Sequence, residues 1–137
     1  MSTDERRRRR SSDPLVALHY QLSTSRTRAE LDAIVVADAS GVVVAGAGSW
    51  PVCEELAAYA PLLADGSWGI MTDQVSSRVE SLRHEVEVRA VSVGGQEVLL
   101  CARRQRRTEG LESTELIARE MDEAAQGISR ILEHAAA

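Results

Sequence analysis

The sequence predicts an α+β fold, with an antiparallel sheet of about four to five strands flanked by helices. Three observations predict it. Two pairs of apolar runs are each joined by a short turn, Asp38-Ala39-Ser40-Gly41 in the first pair and Gly94-Gly95 in the second. Strands joined by tight hairpins run antiparallel. These runs are also almost wholly apolar, so both faces of the sheet need cover. Finally, stretches with apolar residues at helical spacing bracket the hairpins.

Composition bounds the function class. The chain has 137 residues, 44% of them hydrophobic and 27% charged. That suits one domain with a core of its own, needing neither metal nor disulfide to hold it. No apolar run approaches the ~18 residues of a membrane span, and the charged start is not a signal peptide. A cytoplasmic protein is expected, without membrane insertion. A net charge of −5 argues against bulk affinity for nucleic acid. All 16 basic residues are arginine, a bias that codon usage in a GC-rich genome explains without selection for function.

Residues 1–12 read as a disordered basic tail, because Arg6 to Arg10 repel one another and no apolar partner is available. The run is either a solubilising tail or an electrostatic arm for a partner rich in phosphate or carboxylate. Residues 13–137 read as the single domain. Asp13-Pro14 starts a first helix, Asp as cap and Pro at the first helical position, and Leu15, Leu18, Leu22 and Ala29 form its apolar stripe to about residue 30. Leu31 to Ala37 and Val42 to Ala45 make the first hairpin, closed by Gly46-Ala47-Gly48. No phosphate-loop pattern accompanies these glycines.

Trp50-Pro51 leads into a second helix, with Val52, Leu56, Tyr59, Ala60 and Leu63 on one face. Pro61 is expected to kink it or end its regular part. Glu54 and Glu55 are adjacent, so they point about 100° apart and do not converge as catalytic carboxylates. A loop from Ala64 to Ser67, a cover of Trp68, Ile70 and Met71, and a short helix from Thr72 to Arg83 follow. In the next strand the apolar phase changes, from Val86 and Val88 to Val91 and Val93. A bulge near Ala90 is the expected cause. Val98 to Ala102 is the central strand.

Two features point to interaction with a protein partner. Arg103, Arg104, Arg106 and Arg107 cluster at the end of that strand, a basic patch suited to steering an acidic partner. Ile117, Met121, Ala124, Ile128 and Ile131 recur at spacings of 4, 3, 4 and 3 in the last helix, about 112 to 134. That is a heptad seam, which packs either on the sheet or on the same helix of a second subunit. Nothing points to catalysis. Cys53 and Cys101 are far apart and read as buried hydrophobes, and His19, His84 and His134 are scattered. No cofactor and no metal site are expected.

Ala33-Ile34-Val35-Val36-Ala37-Asp38-Ala39-Ser40-Gly41-Val42-Val43-Val44-Ala45, followed by Cys53-Glu54-Glu55-Leu56-Ala57-Ala58-Tyr59-Ala60, resembles the Roadblock / dynein light chain family. In element order the likeness spans residues 13 to 134. It implies a profilin-like helix–sheet sandwich, homodimerisation and a non-catalytic regulatory or scaffold role. Bacterial members often act on small Ras-like GTPases. This chain departs from the family in offering two strands after the second helix where three are usual. Ser92 to Arg104 before a long amphipathic helix, and the opening Leu22 to Leu31, are in turn similar to GAF sensor domains. That second likeness implies a small-ligand pocket between sheet and helices, lined by Val, Leu and Trp.

Overall fold

Local chemistry sets the element boundaries in the computed structural model, which describes residues 13–65, 72–105 and 111–136. Helix α1 spans Pro14–Arg28, and the Asp13 carboxylate caps it by accepting from the Leu15 N–H at 3.0 Å and the Val16 N–H at 3.4 Å. Strand β1 (Leu31–Asp38) turns into β2 (Val43–Gly48) through Asp38, whose Oδ1 accepts from the Ser40 N–H at 2.9 Å and the Val42 N–H at 3.0 Å. Helix α2 (Trp50–Asp65) and helix α3 (Asp73–Arg83) follow, α3 being capped by Thr72. Strands β3 (Val86–Val93) and β4 (Gln96–Arg104) form the second hairpin, and α4 (Leu111–Ala136) ends the described chain. The tail 1–12, and with it Arg6 to Arg10, lies outside the described residues, as do Trp68, Ile70 and Met71.

Among the described residues the sheet is four-stranded and antiparallel, in the order β2-β1-β4-β3. Alternation along the strands divides their side chains between two buried layers. Ile34 and Val36 of β1 and Leu100 and Ala102 of β4 face α1 and α4, against Leu18, Leu22, Ile117, Met121, Ala124 and Ile128. Ala33, Val35 and Ala37, with Leu99 and Cys101, face the other way, against Cys53, Leu56, Ala57 and Ala60 of α2 and Leu82 of α3. This double cover explains why β1 and β4 are apolar at nearly every position.

Three local expectations are corrected. There is no bulge near Ala90: the β3–β4 register runs unbroken from Val86 opposite Arg103 to Val93 opposite Gln96. The phase changes because the cover changes sides along β3. Val86 and Val88 belong to the layer beneath α2, whereas Val91 and Val93 belong to the layer beneath α1 and α4. Of the kink or end expected at Pro61, the end is ruled out, because helix α2 continues to Asp65. Proline has no N–H for the Ala57 carbonyl one turn earlier. The β1–β2 turn comes up on that carbonyl: a Cβ at Gly41 would stand 3.3 Å from the Ala57 oxygen. Leu15 is not part of the buried stripe of α1 but is exposed, and the stripe continues instead through Ser25.

Candidate protein-interaction surface

Two of the four arginines expected to form a basic patch, Arg103 and Arg104, are held by carboxylates of their own chain. Arg103 Nε lies 3.5 Å from Glu85 Oε2 and 3.7 Å from Asp32 Oδ2. Arg104 Nη2 lies 2.6 Å from Glu87 Oε1. Arg89 extends this pair, with Nη1 3.2 Å from Glu87 Oε2 and Nε 3.1 Å from Asp122 Oδ1 on α4. The result is a ladder of alternating charge, Arg104–Glu87–Arg89–Asp122, that ties β4 and β3 to α4. Alternation puts Arg103 and Arg104 on opposite faces of the sheet, so the two do not form one patch. Arg106 and Arg107 lie outside the described residues.

The heptad stripe is packed within the chain. Ile117, Met121, Ala124 and Ile128 are at most 1% exposed, against α1 and the sheet. Ile131 is half-buried against the same cluster. Four of the five side chains therefore have no surface to offer a second copy as the protein is folded. Gly127 lets α4 approach α1 closely, because a Cβ there would meet the Gln21 side chain at 2.5 Å.

Other polar groups fall into structural roles. Glu54 is exposed, whereas Glu55 binds Arg78 and so ties α2 to α3, with Arg78 Nε donating to Glu55 Oε2 at 3.3 Å. That hydrogen bond raises the Arg78 pKa. His19 Nδ1 is 3.0 Å from the Gly46 carbonyl and joins α1 to β2. Burial pushes the Cys101 thiol up to about 12 and raises that of Cys53, opposite to the shift that makes a nucleophilic thiolate. Among the described residues no three His, Cys, Asp or Glu side chains could hold a metal ion together. A shallow open groove lies along α3, lined by Asp73, Gln74, Ser77, Arg78 and Ser81. It belongs to one helix, whereas the GAF likeness implied a pocket between sheet and helices. There the described side chains form the two buried layers.

The outer surface offers three things to a partner. Strand β3 ends the sheet, so one of its edges lacks a neighbouring strand. Beside it, Ala90 and Ser92 are exposed, giving β3 small side chains where cover is absent. Leu15, Val16 and Tyr20 stand out from α1, and Trp50 from the start of α2. Sequence periodicity could not find these residues, because an exposed leucine and a buried one are the same letter. The α1 stripe 18-22-25-29 was the available signal, obscured by a serine at its third position.

No protein-family model matches this chain, and no curated protein does either. Solved structures do match. MglB of Myxococcus xanthus aligns over 88% of this chain and 91% of its own, at 14% identity and a TM-score of 0.57. The gliding protein MglB of Thermus thermophilus aligns over 89% and 93%, at 19% identity and a TM-score of 0.58. A further MglB, in a tetrameric arrangement, aligns over 89% and 92%, at 16% identity and a TM-score of 0.55. At such identities the likeness concerns the path of the chain. The fold is Roadblock-like: among the described residues, four helices and a four-stranded antiparallel sheet, arranged as in these MglB structures.

Proposed function

We propose that this protein is a non-catalytic regulatory or scaffold protein that homodimerises and binds a protein partner, a small Ras-like GTPase. The observation that carries the reading is the match in fold to MglB along about nine-tenths of both chains. The Roadblock resemblance supplies the GTPase as the partner class. The buried cysteines and the ion-paired arginines support a surface that docks rather than one that reacts. The second copy takes the β3 edge, where an eight-residue end strand can pair with its own symmetry mate across a two-fold axis. The GTPase would then meet a composite face shared by both copies. Its residues are not the apolar stripe of α4, which the chain keeps for its own core.

Light scattering after size exclusion tests the dimer, and a strict monomer at micromolar concentration counts against it. Affinity capture from the native host, with the lysate divided between GDP and a non-hydrolysable GTP analogue, tests the partner. Recovery of a small GTPase that depends on the nucleotide supports the reading. Recovery of none under either condition removes the GTPase.

A further inference from the structure

An arginine-rich stretch of the sequence adjoins exposed apolar surface at helix α1. Residues 6–28 carry seven arginines and a single acid, Asp13, although the whole chain has a net charge of −5. Five of those arginines, Arg6 to Arg10, are consecutive and stop shortly before α1 begins at Pro14. Helix α1 itself contains no acidic residue and carries Arg26 and Arg28 in its last turn. Asp13, the one acid, has its carboxylate occupied in capping the helix.

The helix is anchored on its inner side by Leu18 and Leu22, both fully buried. On its outer side Val16 is 44% exposed and Tyr20 74%. Val16 and Tyr20 are four residues apart, so they stack one turn above the other. At about 100° per residue they lie roughly 160° round the helix from Leu18. The hydrogen bond from His19 to the Gly46 carbonyl fixes the helix against β2, so this outer face is presented in one orientation.

We propose that the outer face of α1 and the arginine run before it bind peripherally to the surface of an anionic lipid bilayer. A bilayer surface offers anionic headgroups above an apolar boundary, and the chain offers the same two characters in succession. Tyrosine is favoured at that boundary, with its ring body apolar and its hydroxyl wet. From Arg10 to Leu15 the chain reaches at most about 17 Å, so both parts can meet one surface together. Neither suffices alone: a few apolar side chains bind weakly, and stable attachment takes a second, electrostatic contribution. Each arginine near such a surface contributes about five-fold in binding. Nucleic acid is the poorer occupant, because no aromatic residue is interleaved with the arginines to stack on bases. No described helix is long and apolar enough to cross a membrane, so the attachment is to the surface. The inference does not depend on the dimer or on the GTPase.

The test is co-sedimentation of the full chain with vesicles of phosphatidylcholine alone and of phosphatidylcholine mixed with phosphatidylglycerol. Binding to the mixed vesicles only, weakened by added salt, is the expected result. Replacing Arg6 to Arg10 together by Gln should abolish it, and V16S/Y20S should weaken it several-fold with the fold unchanged by circular dichroism. Absence of binding to the anionic vesicles overturns the proposal. So does binding that survives the Gln replacement. Retention on duplex DNA or polyglutamate that matches vesicle binding and ignores V16S/Y20S would show an acidic polymer to be the occupant, which also overturns it.

Discussion

Gly48 lies against Asp32 so closely that a Cβ on the glycine would come within 2.7 Å of the Asp32 carbonyl oxygen. Its φ of +115° is a second barrier to any side chain. The two residues close the open end of the first hairpin, where β2 leaves the sheet for α2. Gly48→Ala is expected to cost about 3 kcal/mol, from backbone strain together with a contact against main chain that cannot swing away. Gly94→Ala is the control, because φ is again positive there but nothing stands within 4 Å. It should cost only about 1 kcal/mol. Urea unfolding midpoints measure both, and equal losses would show that crowding at Asp32 does not matter.

Glu30 follows the end of α1 with φ at +53°, a left-handed conformation that a side chain resists. Glycine is the usual residue there. Glu30→Gly should therefore stabilise the protein by about 0.5–1 kcal/mol, although it removes atoms. A lower thermal midpoint for the variant would mean that the glutamate side chain makes a compensating contact.

The Asp38 pKa lies below its ordinary value of 3.8, chiefly through the hydrogen bond from the Ser40 hydroxyl and then through the Val42 N–H. A carboxylate whose pKa is depressed by folding stabilises the fold while it is ionised. That contribution is fully present above the unfolded-state value and is lost as pH falls through the lower, folded-state one. Asp38→Asn keeps the acceptor oxygen but not the charge. Its melting temperature should fall below that of the parent at pH 7, and the gap should close as the pH is taken well below 3.8. A gap independent of pH would assign the effect to hydrogen-bond geometry alone.

Cys101 sits on β4 between β1 and β3, fully buried, with its thiol pushed up to about 12. Cys53 is equally hidden, on the inner face of α2, with its sulfur 3.7 Å from the Ala47 carbonyl of edge strand β2. Burial raises both thiols, and neither reacts without an opening of the fold. Titration with a chromogenic disulfide should modify both at least about a hundred-fold more slowly than in urea. Cys53 should react first, because opening the β2 margin disturbs less than parting the sheet centre. Prompt labelling of Cys101 would contradict its place in the core.

The hairpins were legible because their turns are written in short-range chemistry: Asp38 binds residues two and four ahead, and Gly94-Gly95 permits positive φ. Helix α1 was legible from Asp13 and Pro14 for the same reason. The fate of the arginines was not. Arg103 meets Asp32 across the sheet and Arg104 meets Glu87 on a neighbouring strand, and no local pattern reports such pairs. The α4 stripe was ambiguous on physical grounds, since repeats of 3.5 and 3.6 residues hardly diverge over two heptads. One helix therefore reads equally as a seam between subunits and as the lid of its own core. A bulge near Ala90 follows from the apolar pattern only if one face of β3 is buried throughout. The strand is regular, and its cover crosses from the α2 side to the α4 side along its length.

That change of cover gives the dimer reading its sharpest test. Ala90 is exposed on the side of β3 that α2 no longer reaches, beside the β3 edge of the sheet. A second copy pairing along β3 would bring its own Ala90 close to this one, near the two-fold axis. Ala90→Arg places two like charges there and should weaken dimerisation at least ten-fold. The folded monomer should change by no more than about 0.5 kcal/mol, because the site is open in the single chain. Sedimentation equilibrium across a concentration series measures the first quantity and urea unfolding the second. If the parent dimerises and the variant does so equally well, the second copy sits elsewhere than β3. If the variant loses stability as a monomer, Ala90 is packed more tightly than its exposure implies, and its effect on assembly is indirect.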